Sequence, residues 1–180
     1  MKLRIVTAVA LVTGLLAAGA AYAQQPAAPA PAPNPLDVIP DKMPFSEPYG
    51  APISMDRAQA LIQVAVAEAK KRGWAMNVSV VDSGSNLVAF ARMDGAQLAS
   101  ISISQHKART AAKYRRVTKI FEDAMQHGVI YVETLDDVIA SRGGIPLIED
   151  GKIIGAVGCS GGTGSQDEVV CTAAASTINK

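Results

Sequence analysis

Residues 143–162 read GGIPLIEDGKIIGAVGCSGG. Two apolar runs, Ile145 to Ile148 and Lys152 to Val157, flank Glu149-Asp150-Gly151. An acidic-Gly turn between such runs is a hairpin signature. A second hairpin stands upstream. Met76, Val78 and Val80 alternate with Asn77 and Ser79 over a stretch running from Trp74 to Asp82, the period of a half-buried strand. Asp82-Ser83-Gly84-Ser85-Asn86 supplies turn chemistry, and Leu87 to Arg92 is the returning strand. Two hairpins imply an antiparallel sheet.

Outward from the hairpins, the periodicity becomes helical. Ala58, Leu61, Ile62, Ala65 and Ala69 share one face behind Ser54, a good N-cap. Lys70, Lys71 and Arg72 suit the negative end of a helix dipole, and Gly73 can close it. The spacing predicts a helix over Met55 to Arg72. A second helix is expected from near Leu98 to Tyr114. A short one runs from a Thr118 cap through Met125 to Gly128, and a third strand lies near Val129 to Val132. The loop Ser160-Gly161-Gly162-Thr163-Gly164 feeds a last helix, with Ser165 and Glu168 as its capping box. Helices between and beyond two hairpins must cover the faces of the sheet, so the expected fold is a three-layer α+β domain.

The N-terminus decides the compartment. Lys2 and Arg4 precede an uncharged apolar run, Ile5 to Ala20, and Ala21-Tyr22-Ala23 has the small-x-small pattern of a signal-peptidase site. Residues 1–23 read as a secretory signal peptide, shorter in its apolar part than the ~20 residues that span a bilayer. No later segment is apolar for long enough to cross a membrane once it is removed. Residues 24–48 begin QQPAAPAPAPNP, a Pro/Ala-rich tether expected to be disordered or extended. The folded domain is expected over residues 49–180. The whole chain has 17 Lys and Arg against 16 Asp and Glu. Loss of Lys2 and Arg4 leaves a mature chain near neutrality, without the dense basic face that nucleic acid requires. The expected location is periplasmic or secreted.

Four segments together resemble the GlcG/HbpS-type haem-binding family, which also includes the C-terminal domain of PduO-type adenosyltransferases. They are VVDSGSNLVAFARMDGA at Val80 to Ala96, HKARTAA at His106 to Ala112, the quoted run from Gly143 to Gly162, and QDE at Gln166 to Glu168. The resemblance implies a profilin-like fold, a five-stranded antiparallel sheet between helices. It also implies a homo-oligomer, and haem or another small ligand as partner. The expectation is an exported haem-binding protein, in haem or iron handling or sensing, that is not an enzyme. Two alternatives stay open: an enzyme that degrades haem or acts on a small organic acid, and an oligomeric partner of a membrane sensor.

The candidate chemistry is sparse. The chain has two histidines, neither in a metal-ligand spacing, which argues against structural zinc. It has no Walker loop. His106 is the candidate iron ligand, with Lys107 and Arg109 as cations for haem propionates. His106 and Arg109, three apart, share a helical face. The alternative for His106 is an exposed polar residue on a helix. Met93 is a further candidate donor, with Met76 and Tyr114 behind it. Haem-ligating histidines of some relatives lie on the first helix, and Met55 to Arg72 contains none. His127, before Gly128, reads as a helix-end cap. Ser160, Gly161, Gly162, Thr163 and Gly164 could cradle an anion on backbone N–H groups, although Asp167 and Glu168 already occupy that end of the helix. Cys159 and Cys171 read first as a disulfide in an oxidising compartment, and otherwise as two buried thiols.

Overall fold

A computed structural model describes residues 39–179. Residues 1–38, which hold the expected signal peptide and most of the expected tether, lie outside the described residues. Helix α1 covers Met55–Arg72, as its spacing predicts. The Ser54 hydroxyl accepts from the Arg57 N–H, and Gly73 closes the far end at φ 70°, a conformation that costs glycine nothing. Strand β1 (Asn77–Asp82) and β2 (Leu87–Arg92) form the first hairpin. Helices α2 (Ala99–Tyr114) and α3 (Lys119–Gln126) follow, then β3 (Gly144–Glu149) and β4 (Lys152–Ser160) form the second hairpin. Helix α4 (Gly164–Ala175) closes the fold.

The two hairpins join through β1 and β4, giving one antiparallel sheet in the order β2-β1-β4-β3. The described residues hold four strands where the resemblance implies five. Residues 48–53 run beside the start of β4, where Gly50 N donates to Ile153 O and Ile153 N donates to Pro48 O. Ile53 N donates to Ile154 O as well, but β1 holds that side of β4 from Gly155 onward, so the pairing amounts to one isolated bridge, Tyr49 with Ile153. The strand expected near Val129 to Val132 is instead a 3₁₀ turn, Ile130–Thr134. Only Val129 and Val132 are buried there, and their three-residue spacing matches a helical turn rather than a pleat. They pack with Phe121 and Ala124 of α3 in a small satellite cluster.

The two faces of the sheet differ in chemistry. Helices α1 and α4 cover one face with an apolar core that includes Leu61, Ile62, Val78, Val80, Leu147, Val157 and Val170. Helix α2 covers the other through small residues. Ala108, Ala111 and Ala112 meet Val81 and Ala156, and Ser104 hydrogen-bonds to Ser79 at 2.8 Å. Ser160 donates to Ser100 at 3.0 Å. Asn77 and Ser79 are therefore buried, and β1 is covered on both faces rather than one. Ser79 and Ser160 find their partners on α2, Asn77 Nδ2 donates to Gln97 O just ahead of it at 3.2 Å, and Asn77 Oδ1 has no partner. The Cys159–Cys171 disulfide ties the end of β4 to α4. Its 12-residue separation corresponds to roughly 3 kcal/mol on the chain-entropy model.

Candidate functional site

Helix α2 turns Ser100, Ser104, Ala108 and Ala111 onto the sheet, which places His106, Arg109 and Lys113 toward its outer flank. All three converge on Asp137 in the loop before β3. Arg109 donates from Nε to Oδ2 at 3.1 Å and from Nη2 to Oδ1 at 3.2 Å. Lys113 Nζ lies 2.9 Å from Oδ2. His106 Nε2 lies 3.1 Å from Oδ1 and is buried there without hydrogen-bond geometry, although the side chain as a whole is 31% exposed. Asp137 is fixed at φ 54°, and its carbonyl accepts from the Thr110 hydroxyl at 2.8 Å. Burial pushes its carboxyl up, but the Arg109 and Lys113 bonds outweigh burial and hold it below the usual carboxylate range. His106 and Arg109 do share a face, and that face is spent on a protein carboxylate.

Lys107 goes the other way. It is 1% exposed, and its ammonium lies 2.7 Å from Asp167 Oδ2, itself on a side chain 4% exposed. It is a core residue rather than a surface cation beside His106. The second oxygen of Asp167 accepts from Gly162 N at 3.0 Å, and Thr163 N donates to the Gln166 side chain at 2.9 Å. Two N–H groups of the Ser160 to Gly164 loop are thus already bound by protein oxygens. The capping box of α4 is Thr163 with Gln166, not Ser165 with Glu168. The helix starts two residues earlier than the polar pattern suggests, which leaves Glu168 facing Arg142 at 3.6 Å. His127 sits at the end of α3, its ring Nδ1 2.7 Å from Asp123 O. The Tyr114 hydroxyl donates to Asp136 O at 2.6 Å. Met76 is completely buried in the core.

Met93 lies across the sheet from His106. It follows β2, is partly buried, and packs against the α1/α4 core. It lines a cavity of about 400 Å³ together with Lys70, Arg92 and Asp94. A neighbouring cavity of about 670 Å³ runs between α1 and β2, floored by Ala60, Ile62, Val88, Ala89 and Ala91. The two adjoin at Gln63 and Ala91, forming one trough along the unpaired edge of the sheet. The fold therefore separates the four candidate residues. His106 and Arg109 stay together, Lys107 is interior, and Met93 belongs to another surface. Lys70, Gln63 and Asp137 carry no motif that marks them in sequence. Lys70 reads only as a dipole-compensating residue at the end of α1.

The family model described as "Haem degrading protein HbpS-like" matches residues 53–176. Protein GlcG of Escherichia coli K12 is 42% identical over 108 residues, covering 60% of this chain and 81% of that protein. The Klebsiella pneumoniae protein ORFY superposes with a TM-score of 0.68 at 29% identity, over 78% of this chain and 97% of that one. A crystal structure of a PduOC–haem complex gives 0.65 at 29% identity, over 72% and 96%. A match from the strap before α1 to the end of α4 takes in every element of the sheet and both of its faces. The chain belongs to the family of the haem-degrading protein HbpS.

Proposed function

We propose that this chain is an exported haem-binding domain. The observation that carries the reading is the likeness to the PduOC–haem complex, which extends over 96% of that structure at 29% identity. The family description points the same way. What haem asks of a protein is an apolar slot, a donor for iron and cations for two propionates. The trough between α1 and β2 fits these needs: aliphatic walls, the Met93 thioether, and Lys70 with Arg92 at one end. The outer flank of α2 fits them less well, because Arg109 and Lys113 are already paired with Asp137. When bound, haem would supply redox and O₂ chemistry that no side chain here offers. The expected result of a hemin titration is saturable uptake of one haem per chain with a shifted Soret band. Non-saturating uptake would sink the reading. The word "degrading" in the family description favours turnover as a second reading. Loss of the Soret band with product release on adding a reductant would favour it over simple binding.

Export rests on Lys2, Arg4, the apolar run and Ala21-Tyr22-Ala23, and the buried disulfide agrees with an oxidising destination. The intact mass of the exported protein tests both at once. It is expected to correspond to a chain that starts at Gln24 and lacks the two thiol hydrogens of Cys159 and Cys171. A mass retaining residues 1–23 would overturn the export reading.

A further inference from the structure

We infer that Met93 is the protein's iron donor, with Lys70 and Arg92 holding the propionates; this rests on the haem-binding reading above. Met43, Met55 and Tyr131 are exposed but line neither part of the trough, and the other donors that the sequence put forward are engaged. The Tyr114 hydroxyl is bonded to Asp136 O, and the His127 ring to the carbonyl of Asp123. Met76 is sealed in the core. The His106 Nε2 atom is buried against Asp137, and reaching iron would require the loop at Asp137 to leave its bonds with Arg109, Lys113 and Thr110. Met93 needs no such opening. It borders open volume already, at the end of an aliphatic trough whose other lining side chains carry no donor for iron comparable to a thioether.

The charges of the trough agree with this placement. Lys70 and Arg92 line the same cavity as Met93, and Asp94 lines it too. Two cations against one carboxylate leave the end of the trough positive, the sign that a dianionic porphyrin edge requires. Lys70 stands in the last turn of α1, so the helix dipole holds it there even without ligand. A thioether is a soft, neutral donor that favours the reduced metal. Ferrous haem is therefore expected to bind more tightly than ferric haem, which raises the reduction potential of the bound group.

The test is a hemin titration of the full mature chain and four variants, followed by absorbance in both oxidation states. The wild-type ferric complex is expected to show a sulfur-to-iron charge-transfer band at the red end of its spectrum. Met93→Leu keeps side-chain volume, and is expected to lose that band and weaken binding by about tenfold, a typical loss for disturbing a metal site. His106→Ala should keep both band and affinity. Lys70→Gln and Arg92→Gln should each weaken hemin several-fold while leaving the spectrum alone. Neither should affect the dimethyl ester of hemin, which has no propionate charge. Circular dichroism confirms that each variant is folded. If Met93→Leu retains wild-type spectrum and affinity, or His106→Ala loses them, the donor assignment is overturned while haem binding stands. If the wild type takes up no stoichiometric hemin, the haem reading falls and this inference falls with it.

Discussion

Replacing Lys107 with methionine is expected to destabilise the domain by about 3–5 kcal/mol, the range for breaking a buried ion pair from one side. The ammonium and the Asp167 carboxylate are 2.7 Å apart, with side chains 1% and 4% exposed. Without Lys107 the carboxylate remains in the interior with only the Gly162 N–H to balance it. Gly143 closes the pair from above at φ 111°, and a Cβ there would stand 2.9 Å from Asp167 Cβ and 3.3 Å from Lys107 Nζ. Gly143 thus packs closely against both partners. Urea unfolding at neutral pH measures the effect. The double variant Lys107→Met/Asp167→Leu should recover most of the loss, because an apolar pair of similar size leaves nothing unpaired. A single-variant loss below about 1 kcal/mol, the scale of an exposed pair, would show that the two charges are not a buried unit.

Gly158→Ala is expected to cost about 3 kcal/mol, the upper end of the usual range for overpacking. Gly158 sits in β4 directly beneath α2. A Cβ there would collide with the Ser104 carbonyl oxygen and lie 2.6 Å from the Ala108 nitrogen. Both are helix backbone, so no side-chain rotation relieves the clash. The helix would have to lift as a body, which stretches the Ser79–Ser104 and Ser100–Ser160 hydrogen bonds and exposes their buried hydroxyls. Unfolding by urea, with the far-ultraviolet spectrum as a check on the native state, reads the cost. An unchanged midpoint would mean that α2 docks with slack that the close contacts do not suggest.

Both predictions concern the α2 face, the part of the fold least legible in the sequence. Helix α1 and the two hairpins could be read locally, because their apolar residues repeat at 3.6 or 2 and their ends carry Ser, Gly or Asp-Gly signals. Helix α2 buries serines, alanines and a lysine instead, so its inward face has no apolar stripe to read. Lys107 looks like a surface cation until Asp167, sixty residues away, is placed beside it. The His106–Arg109 pairing on one face followed correctly from their spacing. Its partner, Asp137, depends on a loop held at a positive φ, which no periodicity announces. The trough was illegible for a related reason. Its walls come from α1 and β2, and nothing in either segment marks the shape of the gap between them. The strand expected near Val129 to Val132 was misread because its two buried residues stand three apart, the spacing of a helical turn and not of a pleat.

The strand order also sets a schedule. β1 lies inside the sheet, and its second neighbour is β4, so Asn77 pairs with Ser160. A chain made from its N-terminus produces the β1–β2 hairpin early and then waits through three helical segments for the partner strand. A lone two-stranded hairpin is marginal in water, and Val78 and Val80 have no complete core to enter until β4 and α4 exist. The β4–α4 segment, made after all the other elements, therefore closes the sheet, supplies Asp167 for Lys107 and brings in both cysteines. Truncation anywhere before β4 removes all three at once, so the domain has no stable form without the β4–α4 segment, and its folding is committed only once α4 has been made.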